Sequence, residues 1–188
     1  MILIRGGRVV DPATGRDERA DLILEGGVIR EICAPGQAAE TDFDQVIDAQ
    51  NLVAAPGLVD VHVHFRDPGL TYKEDIHSGA RAAARGGFTT VVCMANTKPI
   101  VDNEETLRYV LAEGKKTGIH VLSCAAVSRG FEGRELEFTE VCRITLPIAV
   151  MEYCSPMGIP IPHSRSAYRF SSFQSSFSNR RMSNFFFI

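Results

Sequence analysis

The sequence predicts an α/β protein in which a small β-sandwich module precedes the first three to four strands of an incomplete (β/α) barrel of the TIM type. Residues 1–55 contain short β-branched runs separated by turn glycines, and residues 56–140 alternate strand-like with helix-like segments at the spacing of βαβ units. A complete eight-unit barrel takes roughly 250 residues. The 188 residues present can therefore hold only its beginning.

The first module is predicted from paired extended segments. Residues 20–25 and 28–32 are apolar and β-branched, and Gly26-Gly27 between them suits a two-residue hairpin turn with positive φ angles. Residues 45–48 and 52–55 add further short extended segments. Residues 1–55 are therefore assigned to an N-terminal β-sandwich module.

The barrel portion is predicted to begin at residue 56, after which three strands alternate with two helices. In the first helix, apolar residues recur at helical spacing and Gly86-Gly87 supplies a C-terminal stop. Asp102, three residues ahead of Glu105, resembles a capping box at the start of the second helix. The predicted strands are residues 58–63, 89–94 and 119–127, and the predicted helices are residues 73–85 and 102–118.

Residues 141–188 differ from the rest of the chain. No acidic residue follows Glu152, serine and phenylalanine dominate, and neither a helical nor a strand period remains. Natural disordered tails are usually poor in aromatic residues, whereas this segment ends in Phe-Phe-Phe-Ile. We expect an aberrant tail that is either disordered or translated out of frame.

The composition favours a cytoplasmic protein. The net charge of −3 does not suggest a nucleic-acid partner, and no apolar stretch is long enough to span a membrane or to form a signal peptide. The five cysteines are widely spaced and include no CxxC pair, which is typical of reduced thiols rather than of a disulfide framework.

The chemically informative residues are His62 and His64, at the C-terminal end of the strand predicted at residues 58–63. Side chains alternate across a strand, so both imidazoles project to one side. Two imidazoles at the C-terminal end of a barrel strand can bind a divalent metal ion, and a metal ion can activate water and polarise a carbonyl group. The alternative is a pair of histidines on a solvent-exposed strand without a metal ion.

This segment resembles the amidohydrolase signature as dihydroorotases carry it. The resemblance rests on DVHVHFRDPG at residues 60–69, YKEDI at 72–76, AAARGGFTTV at 82–91 and MANTKP at 94–99. It covers roughly residues 1–140. The family places proline where Ala95 stands, so the loop holding Asn96 is expected to be looser here.

The resemblance implies a zinc-dependent cyclic amidohydrolase that interconverts N-carbamoyl-L-aspartate and L-dihydroorotate in de novo pyrimidine biosynthesis. His62 and His64 would be zinc ligands, with one or two ions in the intact enzyme. Arg66, Asn96 and His64 would bind this small-molecule substrate, with Arg66 gripping its carboxylate in a way that lysine could not copy. A homodimer is one assembly open to the intact enzyme.

The resemblance also implies that this chain lacks its catalytic residues. The family's bridging acidic group, its later histidines and its proton-shuttling aspartate have no counterpart here, and residues 154–157 before Gly158 contain no carboxylate. We therefore expect an inactive truncated or frameshifted form. The alternatives are a non-catalytic homologue that acts as a structural or assembly partner, and an allantoinase or hydantoinase.

Overall fold

The computed structural model describes residues 1–39 and 42–134, together with the backbone of two short strands at residues 150–151 and 185–187. The chain has the predicted mixed α/β character and divides into two compact units. The first contains Met1–Val59, Ala84–Thr90 and residues 185–187, and the second contains Asp60–Ala83 and the described residues from Val91 to Met151. The predictions for the tail, including the missing acidic bridge at residues 154–157, lie outside the described residues.

The first unit is built on one sheet in which strand β1 is central. The sheet order is β11-β5-β1-β2-β3, and β4 also pairs with β1. β1 runs antiparallel to β2 and parallel to β4 and β5. The strands are β1 (Ile2–Asp11), β2 (Arg16–Glu25), β3 (Val28–Cys33), β4 (Gln45–Asp48), β5 (Val53–Pro56) and, near the end of the chain, β11 (Phe185–Phe187).

Local turn chemistry and an apolar face explain this sheet. Gly26 and Gly27 both have positive φ angles, 58° and 79°, as a hairpin turn between β2 and β3 requires. A core of aliphatic side chains from β1, β2 and β5 covers one side of the sheet, and it includes Ile4, Leu22 and Ala54. Burying such side chains is the main favourable term in folding.

A second sheet has three strands in the order β6-β7-β8, and one helix lies between each pair of consecutive strands in the chain. At one end of the first pair, Leu58 N–H donates to Gly87 O, and at the other end Met94 N–H donates to Val63 O. Partners therefore advance together along both strands, which makes the pair parallel. The elements are β6 (Leu58–Val63), α1 (Ile76–Arg85), β7 (Phe88–Cys93), α2 (Glu104–Gly114), β8 (His120–Ser123), β9 (Ala125–Ala126) and β10 (Val150–Met151).

The two faces of this sheet have different neighbours. Phe65, just beyond β6, packs so closely on α1 that a Cβ atom at Gly79 would lie 2.4 Å from its ring, and Val121 of β8 contacts α2 in the same way at Gly114. Val92, Met94 and Cys124 form a separate buried cluster. Since side chains alternate and Met94 is paired beside His64, the histidines project from the face opposite α1.

Both predicted helix starts were wrong, by one to three residues. Helix α1 begins at Ile76 rather than at residue 73, because the Asp75 carboxylate accepts the Ser78 N–H at 2.7 Å and so caps the helix there. The cap of α2 is Asn103 rather than Asp102, since the Asn103 side chain accepts from Thr106 N–H.

The strand predicted at residues 119–127 is interrupted. Its first part, β8, pairs with β7, whereas the Ala126 N–H in β9 donates to Val101 O beyond the end of β7. The sequence signal of a continuous apolar run therefore covers two short strands with different partners. Among the described residues, no helix has the length and apolar character needed to cross a membrane.

Candidate metal and substrate site

The end of β6 brings the two predicted imidazoles together. The ring centroids of His62 and His64 are 5.1 Å apart, with an interplanar angle of 71°. His62 is exposed and His64 is partly buried. Two imidazoles at this separation on one face of a strand can approach a single ion placed between them.

The ring of His64 is oriented by a residue from the next loop. Its Nδ1 atom lies 2.8 Å from Oδ1 of Asn96, which follows β7. An amide oxygen only accepts, so this contact places the proton on Nδ1 and leaves the Nε2 lone pair available to a metal ion. Ligating histidines typically make such a hydrogen bond through the second ring nitrogen. The donor chemistry of this pair therefore fits zinc.

The Asn96 side-chain amide has one hydrogen-bonding group that could bind a ligand. Its amide oxygen is occupied by His64, but its Nδ2 group has no hydrogen bond with any residue that the structure describes. An amide N–H₂ donates to carboxylate or carbonyl oxygens. The structure thus places Asn96 beside His64 and leaves Nδ2 as a donor.

Arg66 lies two residues beyond His64 in an unusual backbone conformation. Its φ angle is +65°, in the left-handed region that costs a non-glycine residue about 1–2 kcal/mol. The side chain is partly buried, and its guanidinium makes no hydrogen bond or ion pair with a described residue. A cation on a strained backbone, two residues beyond His64, is suited to binding an anion.

The loops that carry Arg66 and Asn96 are locked together by backbone contacts. Lys98 N–H donates to Pro68 O at 3.0 Å. Gly69, with a φ angle of +84°, lies so close to the second loop that an added Cβ atom would be 1.7 Å from Lys98 O. Glycine is required here by the approach of another backbone as well as by its own conformation.

Asp60 and His77 have contacts that place them outside this group. The Asp60 carboxylate accepts the backbone N–H of His62 at 3.0 Å and therefore fixes the strand rather than an imidazole. His77 on α1 lies 3.0 Å from Glu113 of α2. Within residues 1–39 and 42–134, no three histidine, cysteine, aspartate or glutamate side chains are grouped closely enough to hold a metal ion.

Comparison with known proteins identifies the family. The model of the dihydro-orotase-like family matches residues 51–146. This chain belongs to that family. The dihydroorotase of Clostridioides difficile (strain 630) is 61% identical over 137 residues, which is 72% of this chain and 32% of that protein. The dihydroorotase of Streptococcus thermophilus (strain CNRZ 1066) is 52% identical over 136 residues, with the same coverage.

A solved hydantoinase structure has a similar fold. The D-hydantoinase (dihydropyrimidinase) from Thermus sp. has 27% identity and a TM-score of 0.53, over 78% of this chain and 30% of that one. The chain spans about a third of the length of the curated dihydro-orotase-like relatives that it matches. His62, His64, Arg66 and Asn96 all lie within the matched residues.

The sequence did not predict a contact between Asp67 and Tyr109. Asp67 is a 7% exposed carboxylate in the loop after β6, and it accepts a hydrogen bond of 3.0 Å from the Tyr109 hydroxyl on α2. The two residues are 42 positions apart. No local sequence pattern predicts this contact, because Tyr109 lies at an exposed position of α2 where any polar or aromatic residue could stand.

Proposed function

We propose that this chain carries the first metal ligands and part of the substrate grip of a zinc-dependent cyclic amidohydrolase that interconverts N-carbamoyl-L-aspartate and L-dihydroorotate. The main support is the arrangement of His62 and His64, whose rings are 5.1 Å apart, with His64 held by Asn96 through Nδ1. Membership of the dihydro-orotase-like family supports the reaction class. The sheet β6-β7-β8 would be the start of a (β/α) barrel, and the single sheet formed by residues 1–55 would be one layer of the accompanying β-sandwich module.

The residues of the chain would bind and orient rather than transfer protons. Bound zinc would supply Lewis acidity towards the scissile amide carbonyl and would lower the pKa of a coordinated water. Arg66 would grip the substrate carboxylate through charge-assisted hydrogen bonds, and Asn96 Nδ2 would donate to a second oxygen. His64 would keep its orientation through Asn96 while its Nε2 faces the ion.

We expect little or no turnover from the 188 residues themselves. Two imidazoles leave a zinc ion short of the three or four protein ligands that catalytic and structural sites use, and no general base has been assigned. Zinc-dependent hydrolysis of L-dihydroorotate by the purified chain, lost on His62→Ala, would contradict this expectation and would leave the ligand assignment intact.

Zinc titration tests the ligand assignment directly. We expect His62→Ala and His64→Ala each to weaken zinc binding by about tenfold or more in calorimetry, since each removes one of two imidazole ligands. The matched control is His77→Ala, which deletes an imidazole bonded to Glu113. Equal affinity in all four proteins would remove the metal assignment.

Hydantoinase chemistry is the second candidate, because a solved structure similar to this chain is a D-hydantoinase. L-dihydroorotate and 5,6-dihydrouracil share a ring and differ by one carboxylate, so they separate the candidates. If Arg66 grips that carboxylate, the chain binds dihydroorotate more tightly, and Arg66→Ala abolishes the preference. Equal binding of both rings, unaffected by Arg66→Ala, would favour the hydantoinase alternative.

A further inference from the structure

The loop that carries Arg66 is anchored at several points. Phe65 packs on α1 at Gly79, Pro68 accepts a hydrogen bond from Lys98, and Gly69 lies against the Lys98 backbone. These contacts fix the residues on each side of Arg66, and in the peptide that follows it Leu70 N–H donates to Arg66 O at 2.9 Å. The side chain of the next residue, Asp67, adds a further contact.

The Asp67 contact is chemically distinct from the other anchors. A carboxylate that is 7% exposed would be unfavourable without a donor, and the Tyr109 hydroxyl supplies one at 3.0 Å. Burial and the nearby Asp67 charge raise the pKa of Tyr109. The phenol therefore remains a protonated donor throughout the neutral pH range. A hydrogen bond to a charged acceptor is about twice as strong as a neutral one.

We propose that Tyr109 is a positioning residue that acts through Asp67 to hold the Arg66 backbone in its left-handed conformation and so presents the guanidinium to an anionic substrate. The functional half of this inference rests on the proposed role of Arg66. Helix α2 would thereby act on the substrate site from a position that does not contact the substrate.

Amide hydrogen exchange of the full chain tests the structural half. Leu70 N–H, bonded to Arg66 O, and Lys98 N–H, bonded to Pro68 O, both report on this loop. We expect Tyr109→Phe to raise their exchange rates about tenfold, in line with loss of one hydrogen bond to a charged group. Leu107 N–H within α2 should keep its rate. Unchanged rates at Leu70 and Lys98, or an equal rise at Leu107, would overturn the proposal.

Two further variants establish the route through Asp67. Tyr72→Phe is the matched control, because Tyr72 is 79% exposed and its ring contacts Lys73 instead. It should leave both reporter amides unchanged. In an Asp67→Ala background, Tyr109→Phe should add no further effect, as a double-mutant cycle requires of residues that act as a pair. Should Asp67→Ala unfold, Asp67→Asn keeps the shape and should reduce the effect of Tyr109→Phe.

Ligand binding tests the functional half. Tyr109→Phe should weaken binding of L-dihydroorotate several-fold while leaving zinc affinity unchanged, whereas general destabilisation would weaken both. Equal dihydroorotate affinity in Tyr109→Phe and the unaltered chain would overturn the positioning role. If the unaltered chain binds zinc but no dihydroorotate, the proposed Arg66 grip fails, and the exchange rates alone still decide whether Tyr109 holds the loop.

Discussion

The hairpin turn between β2 and β3 and the loop after β6 both depend on glycines with positive φ angles, but for different reasons. An added Cβ atom at Gly26 or Gly27 would meet nothing within 4 Å, whereas one at Gly69 would lie 1.7 Å from Lys98 O. The hairpin glycines serve local backbone geometry alone. Gly69 also allows a second loop to approach, and this approach is what aligns the loops of Arg66 and Asn96.

The largest expected effect is the difference in stability between Gly69→Ala and Gly26→Ala, each of which adds a methyl group to one of the two turns. Gly69→Ala should lower the free energy of unfolding by about 3 kcal/mol, because backbone strain and a backbone clash act together. Gly26→Ala should cost only about 1 kcal/mol, from strain without a clash. Urea denaturation of both variants measures the difference. Equal losses would show that the Gly69–Lys98 approach adds nothing to stability.

A smaller effect is expected at Arg66, where the same φ region is occupied by a residue with a side chain. Arg66→Gly should be about 1 kcal/mol more stable than Arg66→Ala, because glycine relieves the left-handed strain that alanine retains. Both variants should lose the preference for dihydroorotate over dihydrouracil. Denaturation gives the first quantity and ligand titration the second. A less stable glycine variant would show that the backbone at Arg66 is unstrained.

The smallest effects concern two ion-paired carboxylates, Glu113 on α2 and Asp17 on β2. Lys116 and His77 hold the pKa of Glu113 below its ordinary value of 4.5, and Arg8 similarly holds the pKa of Asp17 below 3.8. A lowered folded-state pKa stabilises the protein above the unfolded-state pKa, and this stability is lost as the pH falls through the folded-state pKa.

Glu113→Gln and Asp17→Asn should therefore each lower stability slightly at neutral pH, and their differences from the unaltered chain should shrink below about pH 4. Urea midpoints measured across this pH range, at low and high salt, provide the measurement. Differences that persist at low pH or in high salt would exclude an electrostatic origin.

The sequence predicted most of the elements because their signals are local. Alternation placed His62 and His64 on one side of β6, and the turn glycines placed the β2–β3 hairpin. The boundaries that failed depend on which polar side chain captures a backbone N–H. Asn103 takes the cap of α2 while Asp102 binds Gly130 N–H in a later loop. The Asp67–Tyr109 contact could not be predicted, since its partners are distant in sequence.

The alternation of side chains at the end of β6 also makes this position intolerant of insertions and deletions. His64 faces the candidate site and Phe65 packs on α1, so one strand end carries both the reactive groups and their support. Inserting or deleting a single residue there would exchange the imidazole and the phenyl ring between the two faces. An added Cβ atom at the Gly26-Gly27 hairpin would meet no neighbouring atoms within 4 Å, so an insertion there has open space around it. At the end of β6, an insertion or deletion of one residue would remove His64 from the candidate site and Phe65 from its contact with α1 at the same time.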